Sequence, residues 1–303
     1  MTNKLIAIVG PTASGKTRLA VELAESRTAF EAINADSRQV YRHMDIGTGK
    51  PTAAEQAALP HHLIDIVDPD EPFGLATWLD LAKEALAAVW ERGGVPIVVG
   101  GTGQYVWALL EGWRVPEVPP QDNLRRKLEG RPPQELLAEL RRIDPESHEF
   151  IQPQNVRRVI RALEVFHATG KPFSYWRTKE PPAFDWLAVG LRPSRDQLYA
   201  RIDARVDEMV AAGLIDEVRK LREMRYGREL PSMSGIGYGE MCAHLGGEIT
   251  LQEATARTKV GTHRLARHQN AWFKASDQRI HWLDGAAKAS EIVASFLESD
   301  DNA

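Results

Sequence analysis

Short apolar runs alternate with stretches of helical spacing through the first part of the chain. Runs of four to six apolar residues are typical of buried strands, and apolar positions that recur every three or four residues are typical of helices. Strands that alternate with helices favour an α/β fold with a parallel, doubly wound sheet. The predicted strands are 4–9, 29–34, 63–67 and 95–99, and the predicted helices include 16–25 and 78–90.

This alternation stops at a proline-rich segment, residues 115–120. Beyond the prolines, apolar residues recur at helical spacing within residues 136–140 and again within 156–166. Consecutive helical patterns without an intervening strand indicate a separate helical region. We therefore expect a domain boundary close to residue 115.

A strand-like run returns at residues 186–191, and a helical pattern follows at 198–221. The sequence thus predicts an α/β fold with a P-loop-type parallel sheet flanked by helices and an all-helical insertion. The catalytic core, with C-terminal helices, would comprise residues 1–115 and 186–303. The helical insertion would comprise residues 116–185.

The composition of this 303-residue chain indicates the cellular compartment in which the protein works. Its one cysteine, Cys242, excludes an internal disulfide and argues against a thiolate zinc cluster. No apolar run approaches the roughly 20 residues that span a bilayer, and the chain begins with a strand-like run instead of a cleavable signal. These features predict a cytoplasmic protein without a membrane partner, with a monomer as the default state.

The net charge is −4, but basic residues concentrate in two segments. Residues 121–180 contain twelve Lys and Arg against nine Asp and Glu, and residues 257–274 contain five basic residues and no acidic one. Nucleic-acid binding depends on such local concentrations of positive charge more than on the net charge. Both segments are candidates for phosphate contact, and ordinary solvated helix faces would explain either one alone.

A phosphate-binding loop lies between the first predicted strand and the first predicted helix. Its sequence fits the pattern G-x-x-x-x-G-K-[ST], in which backbone N–H groups and a lysine hold an anion and the last hydroxyl can hold Mg²⁺. A plain glycine turn is the structural alternative. The pattern alone leaves open whether the bound group belongs to a nucleotide such as ATP or to the diphosphate of an allylic ester. The loop comprises Gly10, Pro11, Thr12, Ala13, Ser14, Gly15, Lys16 and Thr17.

Two further groups of polar residues follow predicted strands. Asp36 comes just after the second strand, and Thr102 lies within Gly100–Gly103 after the fourth strand. The carboxyl ends of parallel strands form the ligand-binding edge of open α/β sheets. Asp36 could act there as a base, and Thr102 could donate a hydrogen bond to a phosphate oxygen. A turn aspartate and an ordinary glycine turn are the alternatives.

Seven motifs occur in an order that resembles the tRNA dimethylallyltransferases, a group within the wider isopentenyltransferases. The resemblance extends over about residues 5–284 and is far more specific than the phosphate loop alone. The motifs are GPTASGKT at 10–17, NADSRQVY at 34–41, DIGTGKP at 45–51, PHHLID at 60–65, GGTGQY at 100–105, RALEVFHATGKP at 161–172 and IGYGE at 236–240.

The resemblance implies transfer of a dimethylallyl group from dimethylallyl diphosphate to N6 of adenosine 37, just 3′ of the anticodon of a tRNA, with release of diphosphate. It implies Mg²⁺ as the cofactor and a channel in which the two substrates meet. By similarity, Asp36 is the general base and Thr102 assists at the diphosphate. The phosphate loop, with Thr17 as the metal ligand, would hold the diphosphate or a nucleotide.

The resemblance also implies a set of residues that bind the anticodon stem-loop of tRNA. Some positive charge expected from the resemblance is missing, since many relatives have arginine where this chain has Ser234, Gly239, His263 and His268. The implied tRNA-binding residues are Asp36, Ser37, Arg38, Gln39, Arg125, Arg157, Arg158, Arg161, Arg267 and Gln269.

Three other functions share parts of this pattern. A small-molecule kinase or nucleotide hydrolase would explain the phosphate loop, Thr17 and an acid at the sheet edge. An isopentenyltransferase that acts on free AMP or ADP would use the same chemistry, and a noncatalytic RNA-binding adaptor could keep a degenerate loop. The basic segments 121–180 and 257–274 favour a tRNA substrate over the first two, and the presence of Lys16 and Asp36 disfavours the third.

Overall fold

The computed structural model describes residues 2–26, 29–283 and 286–299 of the chain. These residues divide into two compact units. The first comprises the chain up to Trp107 together with the chain from Ala183 onward, and the second comprises Ala108–Pro182.

The first unit is built on one sheet of six strands, all of them parallel. The strand order is β3-β2-β4-β1-β5-β6. The first strand is buried along almost its whole length, which explains why it is a continuous apolar run in the sequence. The strands are β1 Lys4–Val9, β2 Phe30–Asn34, β3 His61–His62, β4 Val95–Gly100, β5 Asp185–Leu191 and β6 Ile280–Leu283.

This strand order determines where the functional loops meet. β4 lies between β2 and β1, so the carboxyl ends of three neighbouring strands open onto one edge of the sheet. The phosphate loop follows β1, Asp36 follows β2 and Thr102 follows β4. The topology therefore gathers residues that are up to about 90 positions apart in the sequence.

Helices follow or flank the strands of this unit. One apolar core packs helices against the sheet, with Leu19, Leu23 and Val293 buried together with strand residues such as Ile6 and Ile97. In the described residues, no helix is at once long and apolar enough to cross a membrane. The helices are α1 Lys16–Ser26, α2 Ala53–Ala58, α3 Leu75–Glu91, α4 Gly103–Leu110 (which continues into the second unit), α8 Arg195–Ala211, α9 Leu214–Glu223, α10 Tyr238–Leu245, α11 Leu251–Trp272 and α12 Ala286–Glu298, with a 3₁₀ turn at Ser232–Ser234.

The predicted strand at residues 63–67 is wrong. Leu63 and Asp65 have φ angles of 63° and 56°, in the left-handed region that a strand residue does not adopt. The segment instead hydrogen-bonds to the loop after β2, where Ile66 N–H donates to the Val40 carbonyl over 2.9 Å. The third strand is shorter and lies just before this segment, at His61–His62.

The second unit is helical and has its own apolar core, which includes Leu136, Leu140, Val159 and Leu163. The α/β fold with a helical insertion is thus confirmed. The compact unit spans residues 108–182, against the 116–185 expected from the prolines, and its role in tRNA binding stays a prediction. Its own helices are α5 Asp122–Glu129, α6 Pro133–Ile143 and α7 Val156–Thr169, with 3₁₀ turns at Pro145–Glu149 and Phe173–Trp176.

Candidate active site

The phosphate loop is a tight turn that ends where α1 begins. Ser14 N–H donates to the Pro11 carbonyl over 3.3 Å, and Lys16 Nζ donates to the same carbonyl over 2.8 Å. The Ser14 hydroxyl is buried and has no hydrogen-bond partner in the part of the chain that the structure describes. A buried hydroxyl without a partner is costly unless a ligand satisfies it, so the loop fits an anion.

The surroundings of Lys16 disfavour the protonated form of its ammonium group. Burial lowers the pKa of the Lys16 ammonium to about 8, the Asp36 carboxylate opposes this shift, and the nearby Arg205 guanidinium adds to it. An incoming diphosphate would supply negative charge beside Lys16 and favour its protonated form. Binding of an anion at the loop would therefore increase the fraction of Lys16 that is protonated.

The side chain of Asn34, the last residue of β2, holds the backbone of Asp36 in place. The Asn34 amide donates to the Asp36 carbonyl over 3.1 Å and accepts from the Asp36 N–H over 3.1 Å. One carboxylate oxygen, Oδ1, accepts from Arg38 N–H over 2.9 Å. The other oxygen, Oδ2, has no hydrogen-bond partner among the described residues, which leaves it able to accept a proton from a substrate.

Thr102 is connected directly to the segment that carries Asp36. Its hydroxyl oxygen accepts from Ser37 N–H over 3.1 Å and lies 3.4 Å from the Ser37 hydroxyl, to which it can donate. Thr102 N–H also donates to the Ala35 carbonyl over 3.1 Å. The loops after β2 and β4 thus form one hydrogen-bonded edge.

Gln269, on α11, joins this edge to the phosphate loop. It is buried, and its side-chain oxygen accepts from Thr12 N–H over 2.7 Å. Its amide nitrogen packs against Gly101, where an added Cβ would lie 2.1 Å from it, so a larger residue at position 101 would displace the Gln269 side chain. Gln269 thus contacts the phosphate loop, and its predicted contact with tRNA stays a prediction.

Arg205 is a site residue that the sequence analysis missed. It lies on α8 and donates from Nη2 to the Gly49 carbonyl over 3.1 Å. Burial lowers the pKa of its guanidinium, while the Asp36 charge acts in the opposite direction. The available signal was a charged residue on the apolar stripe of a helix, between Ile202 and Met209 at helical spacing.

A cavity with a volume of about 400 Å³ is lined by Asp36, Thr102, Arg205 and Gln269, together with Thr12 and Ala13 of the phosphate loop. Its polar part is formed by the loops after β1, β2 and β4 together with Arg205. The remaining wall combines apolar side chains with a few polar ones, such as Thr258, Thr262 and His268. Such a combination suits a ligand with one charged end and one hydrocarbon end. The apolar wall includes Ile202, Val206, Met209, Leu214, Ile236 and Trp272.

Three other residues of the first unit that were predicted to contact tRNA form hydrogen bonds within the protein. The Arg38 guanidinium donates to the Pro231 carbonyl over 2.9 Å, and Gln39 Nε2 donates to the Gly49 carbonyl over 3.0 Å. Arg267 lies on an exposed part of α11 and donates to the Tyr199 hydroxyl over 2.8 Å. Their contact with tRNA stays a prediction.

The four arginines predicted in the helical unit fall into two kinds. Arg125 and Arg161 both form ion pairs with Glu164, which is fully buried, so they already satisfy a buried charge. Arg157 and Arg158 are exposed near the beginning of α7 and have no ion-pair partner in the described part of the chain. The charges of Arg157 and Arg158 are therefore the uncompensated ones of these four, and contact of all four arginines with tRNA stays a prediction.

The donor set for a metal is sparse. No cluster of three or more His, Cys, Asp or Glu side chains that could hold an ion occurs within residues 2–26, 29–283 and 286–299. Mg²⁺ commonly keeps several waters and takes few protein ligands beside substrate phosphates. The partly buried Thr17 hydroxyl, in the first turn of α1, fits this mode of binding together with a diphosphate.

Comparisons with known proteins identify the family. The family model described as IPP transferase matches residues 39–276, and the one described as isopentenyl transferase matches residues 3–65. The chain belongs to the IPP transferase family. It is 54% identical to a protein named tRNA dimethylallyltransferase from Roseiflexus sp. (strain RS-1), over 89% of this chain and 90% of that one. A protein of the same name from Herpetosiphon aurantiacus is 50% identical over 97% and 93% of the two chains.

Solved structures of the family agree with the fold. The tRNA isopentenylpyrophosphate transferase of Bacillus halodurans is 41% identical with a TM-score of 0.72, and the match covers 98% of this chain and 97% of that one. A eukaryotic dimethylallyltransferase acting on tRNA is 28% identical with a TM-score of 0.85, over 98% and 80% of the two chains. The resemblance drawn from the sequence motifs is confirmed at the level of the family.

Proposed function

We propose that this IPP transferase family protein transfers a dimethylallyl group from dimethylallyl diphosphate to N6 of adenosine 37 in tRNA, releasing diphosphate. The observation that carries the proposal is the composition of one cavity. A phosphate loop, a carboxylate with a free oxygen and an apolar wall all line it or open onto it. The names of the relatives, and the family itself, support the same reaction.

The charged end of the substrate would bind at the phosphate loop. Lys16, the loop N–H groups and Arg205 would surround the diphosphate, and the Thr102 hydroxyl would donate to one of its oxygens. Fixed donors of this kind stabilise the negative charge that develops on a leaving group. The dimethylallyl chain would then lie along the apolar wall, against side chains such as Val206 and Met209.

The Asp36 carboxylate would act on the acceptor adenosine. The lone pair of an adenine N6 amine is delocalised into the ring, so the amine is a poor nucleophile unless its proton is removed. In the reaction, N6 forms a bond to C1 of the dimethylallyl group while the bond between C1 and the diphosphate oxygen breaks. The N6 proton passes to Asp36 Oδ2, and the electron pair of the broken bond leaves with the diphosphate.

The residues present fit Mg²⁺ as a bound cofactor, with the Thr17 hydroxyl as its protein ligand. When bound, the ion would neutralise part of the diphosphate charge. Binding of the anticodon stem-loop by Arg157 and Arg158, a cytoplasmic location, a monomeric state and nucleotide binding at the loop are further parts of this proposal.

A kinase remains the alternative that the phosphate loop alone would allow. The apolar side chains of the cavity favour prenyl transfer, because they suit the hydrocarbon chain of a prenyl donor. Transfer to free AMP or ADP would use the same cavity, but it would not need the basic helical unit.

The test is a comparison of acceptors. Purified protein and Mg²⁺ would be incubated with dimethylallyl diphosphate and either unmodified tRNA or AMP, with an ATP-only reaction alongside, followed by mass analysis of the nucleosides. We expect a prenylated adenosine only from tRNA. Prenylation of AMP alone, or phosphate transfer from ATP, would contradict the proposal.

A further inference from the structure

A group of aromatic and basic side chains lies where the chain enters and leaves the helical unit. The two backbone segments pair there, with Arg114 N–H donating to the Thr178 carbonyl over 3.0 Å and Glu180 N–H donating to the Gly112 carbonyl over 2.8 Å. This pairing fixes Arg114 beside the 3₁₀ turn Phe173–Trp176. We call Arg114, Lys171, Tyr175, Trp176 and Arg177 the aromatic-basic shelf.

Each of the three cations of the shelf, Arg114, Lys171 and Arg177, forms a cation–π contact with an aromatic ring. The Arg114 guanidinium lies 5.4 Å from the Tyr175 ring centroid and 5.5 Å from that of Trp176. Lys171 Nζ lies 4.1 Å from the Tyr175 centroid and donates to its hydroxyl over 3.0 Å. The Arg177 guanidinium lies 4.0 Å from the Phe150 ring. Cation–π contacts restrict these long side chains without neutralising their charge.

No carboxylate forms an ion pair with Arg114, Lys171 or Arg177 in the part of the chain that the structure describes. Other cations of the same unit differ, since Arg125 contacts Glu164 and Lys179 contacts Glu111. Lys171 and then Arg114 lower the pKa of the Tyr175 hydroxyl, which agrees with a local excess of positive charge. The shelf therefore presents three ordered cations to an incoming anion.

The shelf and the exposed arginines of α7 lie near opposite ends of that helix. Arg157 and Arg158 are in its first turn, and Lys171 follows its C-terminal Gly170. A helix of 14 residues is about 20 Å long at 1.5 Å per residue. Two uncompensated basic groups at this separation suit an elongated polyanion better than a small phosphate compound.

We propose that the aromatic-basic shelf is a docking surface for the sugar-phosphate backbone of the tRNA substrate, separate from the contact at Arg157 and Arg158. The inference rests on the proposed function and extends it by a second group of RNA contacts. The cations would bind phosphate groups in any sequence, so the shelf would contribute affinity and orientation without reading bases.

The test compares two charge-matched double variants in RNA binding. Lys171→Gln with Arg177→Gln removes two shelf cations, and Arg141→Gln with Arg142→Gln removes two exposed cations of α6 in the same unit. Affinity for a fluorescent anticodon stem-loop would be measured over a series of salt concentrations, with circular dichroism confirming the fold. Each phosphate contact contributes roughly 0.7–0.9 to the slope of log affinity against log salt.

We expect the shelf variant to lose about 1.5 of that slope and at least tenfold in affinity at low salt, while the control keeps the wild-type slope. Equal slopes for the two double variants would overturn the shelf as a docking surface. Because binding is measured apart from turnover, this outcome is distinct from failure of the proposed function, which would appear as a wild-type protein that does not prenylate tRNA.

Discussion

The backbone N–H of Thr12 donates a hydrogen bond to the side-chain oxygen of Gln269 over 2.7 Å. This contact joins the phosphate loop, near the beginning of the chain, to α11, near its end. Since Gln269 also packs on Gly101, one buried side chain controls the spacing between two of the loops that form the cavity.

Gln269→Ala is therefore expected to weaken the proposed diphosphate site. The change leaves Thr12 N–H without its partner, which costs about 1–3 kcal/mol and lets the phosphate loop shift. We predict a KM for dimethylallyl diphosphate that rises about tenfold, with the Kd for tRNA changed less than twofold. A variant that loses tRNA affinity and keeps its KM for the diphosphate would instead make Gln269 an RNA contact.

Much of the fold could be predicted because its signals are local. A buried parallel strand is a continuous apolar run, so β1 was recognised at its observed bounds, Lys4–Val9, and the loop pattern after it identified the phosphate site. The error at residues 63–67 has a long-range cause. The Leu63 carbonyl accepts from the Asn34 amide over 3.0 Å, a contact between residues 29 positions apart that helps to hold the left-handed backbone.

Three other features could not be predicted from local sequence patterns. The edge strand β6 has four residues, too few to show a period. Arg205 is a site residue because Gly49 and Asp36 come close to it in space, and the spacing of α8 shows only that a charge lies near an apolar stripe. Likewise, nothing local to Gln269 reveals that Thr12 is its partner.

The substrate affinity should depend on pH through Lys16. Its pKa of about 8 means that the ammonium is charged below this pH and progressively neutral above it. The KM for dimethylallyl diphosphate should therefore rise between about pH 7 and about pH 9.5, approaching tenfold per unit above the pKa. Lys16→Arg keeps its charge over this range, so its KM should be flat; a wild-type KM that is equally flat would contradict the shift.

Gly49→Ala should displace the Arg205 side chain. Gly49 has a φ of 59°, and a Cβ there would lie 1.9 Å from the Arg205 guanidinium. The control is Gly93→Ala, where φ is 72° but no atom lies within 4 Å of the added Cβ. Both variants should lose about 1 kcal/mol of stability from backbone strain.

Only Gly49→Ala should also raise the KM for dimethylallyl diphosphate, by about tenfold or more, because it moves a cation of the proposed diphosphate site. Thermal denaturation would first confirm that the two variants lose similar stability. Steady-state kinetics would then compare their KM values for dimethylallyl diphosphate. Equal KM values would show that Arg205 can move without effect on the substrate.

Glu217 should stabilise the loop that carries Gly47. Its carboxylate accepts from the N–H groups of Asp45, Ile46 and Gly47 over 2.9, 2.7 and 3.1 Å, and from the Tyr238 hydroxyl over 2.7 Å. Glu217→Ala should lower the free energy of unfolding by about 2–3 kcal/mol, since it leaves three backbone donors unpaired. Tyr238→Phe removes one bond and should cost about 1 kcal/mol. Chemical denaturation would measure both losses. Equal losses in the free energy of unfolding for Glu217→Ala and Tyr238→Phe would contradict this role of Glu217.

The central claim is that Asp36 accepts the N6 proton during prenyl transfer to tRNA. Asp36→Asn keeps the shape and the hydrogen bond from Arg38 N–H but removes the base. The most direct measurement is the single-turnover rate of prenylation of bound tRNA by this variant, with the Kd for tRNA measured in parallel. We predict a rate lower by about 10²–10⁴ with a Kd within about threefold of wild type. A rate close to wild type would contradict the mechanism.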